Sequence, residues 1–92
     1  DKFQIITRHD ASELNIPKSY LGIEYSEGII FIQATISFGR SVEVKKNLYK
    51  GICEALVQTL KVRPQDIFIN LLEVNKENWS FGNGEMQYAD KD

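Results

Sequence analysis

An arginine held between a glycine and a serine, where an apolar run meets an amphipathic one, is the feature of this sequence best suited to chemistry. Arg40 lies in Gly39-Arg40-Ser41. Residues 29–38, IIFIQATISF, come before it and read as a strand. Residues 41–61, SVEVKKNLYKGICEALVQTLK, follow and read as a helix, with a second long strand, IFINLLEV, at residues 67–74. This order predicts a βαβ unit with parallel strands. It puts Arg40 at a strand's carboxyl end and just ahead of a helix amino terminus. Ligands bind at such ends of open α/β sheets, and helix amino termini favour anions. A guanidinium there can hold a carboxylate by a two-pronged hydrogen bond. A solvated turn residue is the other reading of a lone loop arginine.

The remaining reactive side chains offer less. His9 is the single histidine and has no neighbouring Cys or second His, so it reads as a surface residue rather than a metal ligand. Cys53 falls in the helix without an activating partner and reads as a packed small side chain. Trp79 and Phe81 would share a face of an extended segment, either sealing the sheet end or forming the apolar wall of a pocket. The sequence holds no phosphate-cradling glycine loop, zinc-spaced cluster or Ser/His/Asp arrangement, and no cofactor is expected.

Several elements must position these groups. Ser41 is a candidate N-cap, with Glu43 in the first turn. Leu48, Ile52, Ala55, Leu56 and Leu60 recur at helical spacing and predict one buried stripe. Gly51 weakens the helix by about 1 kcal/mol relative to alanine, which would suit a close packing contact. The strand at 29–38 is apolar on both faces at its start, as expected of a strand covered on both sides. Upstream, residues 2–8 read as a strand and 12–15 as a short helix ended by Pro17. Residues 19–25 read as an extended piece that Ser26-Glu27-Gly28 joins to 29–38 as a hairpin. Gly82-Asn83-Gly84 marks a tight turn.

At 92 residues the chain is expected to form one small domain, 1–92. A formal net charge of −2 gives no electrostatic case for nucleic acid, and no run is long and apolar enough to span a membrane. The lone cysteine makes no internal disulfide, and a cytoplasmic protein is expected. The chain opens at Asp1 without a methionine and runs almost at once into a strand, as a start in mid-domain would.

Three stretches carry a resemblance. GRSVEVKKNLYKGICEAL, RPQDIFINLLEV and KENWSFGNGEMQY resemble the second half of tautomerase-superfamily proteins, most closely the long malonate semialdehyde decarboxylase-like members. The upstream pieces DKFQIITRHD and SYLGIEYSEGIIFIQATISFGRS match as well. The resemblance implies an α+β fold of β-α-β units, with a four-stranded mixed sheet and the helix packed on one face. Here the first strand and helix of the first unit are missing. It implies a homo-trimer acting on a small carboxylate substrate. The chemistry is acid–base work by an amino-terminal proline on a 2-oxo acid or its enol. Carried over by position, Asp1 would orient or activate water, Arg40 would bind the carboxylate, and Trp79 and Phe81 would line the pocket. Ser37-Phe38-Gly39-Arg40 has one arginine where decarboxylases tend to carry two, which favours keto–enol tautomerisation.

Pro17 and Pro64 cannot replace the catalytic proline, because an amide nitrogen has no basic lone pair. A separately placed front segment would supply it. The α-amine of a chain that truly began at Asp1, with an ordinary pKa near 7.7–8.0, is the weaker substitute. The alternative function is an inactive relative or fragment that acts as an oligomeric assembly or carboxylate-binding module.

Overall fold

The computed structural model describes residues 3–88. Its organising unit is strand, helix, strand. β3 (Ile30–Ser37) and β4 (Ile67–Val74) pair in parallel, in register from Ile30 opposite Ile67 to Ser37 opposite Val74. α1 (Val42–Leu60) connects them. Ser41 caps the helix as expected: its Oγ accepts the Val44 N–H at 3.2 Å. At the other end Lys61 takes a left-handed conformation (φ 58°) and donates its N–H to the Val57 carbonyl.

Alternation along the strands separates two faces. Ile30, Ile32, Ala34 and Ile36 are half-buried, as are Ile67, Ile69 and Leu71 on the neighbouring strand. Glu73 shares that face by alternation and reaches Lys45 of α1, so the helix lies on this side. The half-buried helix positions are Lys45, Leu48, Ile52, Cys53, Leu56 and Val57. The stripe is thus rotated from the expected one. Ala55 sits exposed at its margin, and Leu60, the last helical residue, is 56% exposed. Gly51 has open space where a Cβ would stand, so the structure shows no close contact to explain it. The opposite sheet face is open rather than covered: Phe31, Phe68 and Leu72 are exposed there, and Gln33 donates to Asn70 across it. Phe31 and Phe68 pair at 4.7 Å between ring centroids.

Two upstream expectations change. Residues 3–8 form no strand among the described residues, and Ile5 and Ile6 are 93% and 83% exposed. β propensity alone makes no ladder when no neighbouring strand takes up the backbone groups. Residues 19–25 do not pair with β3. They fold back on themselves as β1 (Ser19–Tyr20) and β2 (Ile23–Glu24), antiparallel, around Leu21 and Gly22. Both turn residues have positive φ, 50° and 80°, the geometry that matches the twist of a two-residue hairpin. The expected short helix is a single 3₁₀ turn, Ala11–Glu13. The described residues therefore show one long helix and two two-stranded sheets, an α+β arrangement built on a β-α-β unit.

Among the described residues no hydrophobic side chain is fully buried. The radius of gyration is 16.3 Å, against about 12 Å for a compact chain of this length. The residue buried most deeply is a carboxylate. Asp66, 3% exposed, ends the 3₁₀ turn Pro64–Asp66 just ahead of β4. It accepts the Ser26 backbone N–H at 2.8 Å and the Ser26 hydroxyl at 2.5 Å. Arg63 approaches both carboxylate oxygens at 3.4 Å and donates to the Glu24 carbonyl at 3.2 Å. The lead into β4 is thereby tied to the turn that follows β2. The Ser26 hydroxyl, then the Ser26 N–H, and Arg63 after them, hold the Asp66 carboxyl below its ordinary value of 3.8, against an opposing effect of burial.

A depressed folded pKa means that the unfolded chain binds this proton more tightly. The stabilisation is complete above about pH 4 and is lost as the pH falls through the lower folded value. Asp66→Asn is expected to lower the melting temperature by several degrees at pH 7 and to flatten its dependence on pH below 4. Thermal melts of both proteins between pH 2.5 and 7 check this, and parallel curves would contradict it.

Candidate functional site

Parallel pairing brings two chain exits to one end of the sheet. β3 ends at Ser37 and β4 ends opposite it at Val74, and the Phe38 N–H extends the ladder by donating to the Val74 carbonyl at 2.9 Å. Gly39 then turns the chain at φ 105°, where a side chain would be strained. Arg40 follows, exposed, and makes no hydrogen bond or ion pair among the described residues. Ser41 caps the helix directly after it. Arg40 therefore stands where the sequence places it, beside a helix end whose first N–H groups lack intrahelical partners.

A second constraint acts on this turn. Lys45, in the first turn of α1, donates to Glu73 Oε1 at 2.6 Å, with both side chains about three-quarters shielded from solvent. The Lys45 hydrogen bond, its charge and the nearby Gly39 backbone N–H hold the Glu73 carboxyl below its ordinary value.

The other exit builds an aromatic surface. After β4 comes the 3₁₀ turn Lys76–Asn78, then Trp79. Trp79 and Phe81 stack with centroids 5.3 Å apart and planes 13° from parallel. Phe81 meets the edge of Tyr88 at 4.8 Å and Phe3 at 6.4 Å. Gln87 clips the turn: its Oε1 accepts the Phe81 N–H at 2.9 Å and its Nε2 donates to the Gly82 carbonyl at 3.0 Å. Gly82, Asn83 and Gly84 all have positive φ, as the expected tight turn requires. Trp79 is half-buried and Phe81 43% exposed, so the stack presents an open apolar wall.

Of the residues singled out in the sequence, Trp79 and Phe81 are in contact, and Arg40 lies at the same sheet end. Asp1 lies outside the described residues. His9 is exposed and meets only the Thr7 hydroxyl, at 3.2 Å. Cys53 is half-buried in the helix stripe. Sequence reasoning missed Tyr88, Gln87 and the Lys45–Glu73 pair. A charged residue, Glu73, on the face that β4 otherwise fills with Ile67, Ile69 and Leu71 was the signal for that pair, whereas nothing local marks Tyr88 as a ring partner of Phe81.

Comparison with known proteins gives this geometry its family. The tautomerase enzyme family matches residues 1–82. The chain belongs to that family. It is 39% identical over 87 residues to the probable tautomerase YusQ of Bacillus subtilis (strain 168), a match spanning 95% of this chain and 68% of YusQ. Among solved structures, a malonate semialdehyde decarboxylase described with decarboxylase and hydratase activities superposes with a TM-score of 0.85 at 27% identity, covering 97% of this chain and 68% of that one. The FG41 malonate semialdehyde decarboxylase inhibited by 3-bromopropiolate superposes at 0.84 with 34% identity, covering 97% and 67%. The chain thus spans about two thirds of the length of these relatives. Among its described residues, no helix is long and apolar enough to cross a membrane.

Trp79 is the single tryptophan of this tautomerase, so its emission reports on the ring stack. Phe81→Ala is expected to shift that emission to longer wavelength as water reaches the exposed indole face. An unchanged fluorescence spectrum would contradict the stacked geometry.

Proposed function

We propose that this chain forms the carboxylate-binding part of a tautomerase-superfamily enzyme acting on a small 2-oxo or enol carboxylic acid. The observation that carries the reading is Arg40: exposed, without a partner among the described residues, and set between a strand's carboxyl end and a helix amino terminus. Its guanidinium would bind the substrate carboxylate by two parallel hydrogen bonds and stabilise charge building on the adjacent C2 oxygen. Trp79 and Phe81 would form the apolar wall, and Asp1 would orient a water or a proton. Ketonisation moves one proton from the C2 hydroxyl to C3, with no change of oxidation state. A proline amine outside these 92 residues would carry it, its pKa lowered by an apolar pocket so that it is neutral and basic near pH 7. The single arginine in Ser37-Phe38-Gly39-Arg40-Ser41, a stretch where decarboxylases tend to carry two, supports tautomerisation over decarboxylation.

The same reading treats residues 1–92 as one domain with β3-α1-β4 as its complete βαβ unit, while residues 3–8, expected as the second strand of a preceding unit, form no strand among the described residues. The open sheet face supports assembly. Phe31, Phe68 and Leu72 are 49%, 40% and 46% exposed there, and the subunit has no fully buried hydrophobic residue among those described. A homo-trimer would cover that face. The lone Cys53, with no disulfide to maintain, is compatible with a cytoplasmic enzyme.

Arg40→Ala is expected to raise KM for an enol carboxylate about tenfold or more, the scale of a lost charge-assisted hydrogen bond, while leaving the circular dichroism spectrum unchanged. Undiminished turnover in that variant would remove Arg40 from the site. In sedimentation, the protein is expected as a trimer that Phe68→Glu dissociates. A stable monomer at micromolar concentration would overturn the assembly.

A further inference from the structure

The turn carrying Arg40 is fastened at both ends. Before it, the Phe38 N–H donates to the Val74 carbonyl at 2.9 Å and anchors the strand exit. After it, the Ser41 hydroxyl and carbonyl accept the Val44 and Lys45 N–H groups and anchor the helix entry. These bonds fix each anchor internally, but they do not fix the helix entry relative to the sheet. The Glu73 carboxylate spans that gap, with the Gly39 backbone N–H on one side of it and Lys45 on the other. Lys45, four residues beyond Ser41, donates to Glu73 Oε1 at 2.6 Å. Glu73 is the residue next to Val74, which holds Phe38, so both anchors of the Arg40 turn converge on two consecutive residues of β4.

From this convergence we infer that Glu73 is a positioning residue for Arg40: through Lys45 it sets where the helix entry, and with it the guanidinium, stands over the sheet end. Its own oxygen is engaged by Lys45 and its charge faces the helix, so Glu73 touches no substrate in this role. The inference rests on the reading of Arg40 as the carboxylate-binding group. A guanidinium fork is directional, and a displacement of about 1 Å at its base weakens a two-pronged contact substantially. A purely stabilising ion pair, by contrast, would act on folding and leave ligand affinity alone.

A double-mutant cycle separates these roles, with pyruvate as a 2-oxo carboxylate probe and binding read by calorimetry, so that no turnover is needed. Circular dichroism of each variant confirms folding. Glu73→Gln is expected to weaken pyruvate binding about fivefold in the Arg40 protein and to have no further effect in Arg40→Ala, the coupling expected of groups in one network. Lys45→Met breaks the same pair from the helix side, should give the same result, and stands in if Glu73→Gln does not fold. Unchanged affinity in Glu73→Gln or Lys45→Met, while Arg40→Ala binds poorly, overturns the positioning role alone. Equal weakening with and without Arg40 also overturns it. Full affinity in Arg40→Ala, or no pyruvate binding by the unsubstituted protein, overturns the carboxylate reading and the inference with it.

Discussion

The eight-residue parallel ladder between β3 and β4 is the constraint on which the rest depends. Parallel strands share their carboxyl ends, so two chain exits separated by the whole of α1 emerge side by side. One exit is Gly39-Arg40-Ser41 and the other leads through Lys76–Asn78 to Trp79. A one-residue slip in register would turn Ile69 and Leu71 toward the open face and Phe68 under the helix. It would also remove Glu73 from the side on which Lys45 waits. The cation-bearing turn and the segment leading to the aromatic wall leave the same sheet end because the backbones pair.

Asp66 secures the opposite end of the sheet. A carboxylate so thoroughly shielded is unfavourable unless its lone pairs are used, and Ser26 supplies both a backbone and a hydroxyl donor. This joins the β1–β2 hairpin to the start of β4, where apolar contacts are sparse. The two carboxylates Asp66 and Glu73 thus act at opposite ends of the same strand, each accepting from a group distant in sequence. Directional polar contacts set the geometry here, while the apolar faces of the chain remain partly exposed.

That exposure bears on stability. Among the described residues no hydrophobic side chain is fully buried, so apolar burial within the chain stabilises it less than a closed core would. Phe31 and Phe68 pair on the open sheet face, and Trp79, Phe81 and Tyr88 present another apolar surface at the sheet end. The two surfaces are physically linked, because the strands that expose the first also lead into the second.

Much of this was legible in the residues themselves. β-Branched runs at 29–38 and 67–74, a serine before an amphipathic stretch, and Gly-Asn-Gly are local signals, and β3, α1, β4, the Ser41 cap and the tight turn follow from them. The tautomerase family was legible too, since its motifs are contiguous. Tertiary structure alone decided whatever depends on a partner far along the chain. Residues 3–8 have strand propensity but no ladder, because a strand exists only as a pair. Residues 19–25 chose their own hairpin, because Leu21-Gly22 could adopt two positive φ angles at close range. The helix stripe rotated to face the sheet, taking in Cys53 and Val57 instead of Ala55 and Leu60. Asp66 with Ser26, Glu73 with Lys45, and Tyr88 with Phe81 are equally invisible locally. Sequence specifies donors, acceptors and rings, and only the folded chain specifies which of them meet.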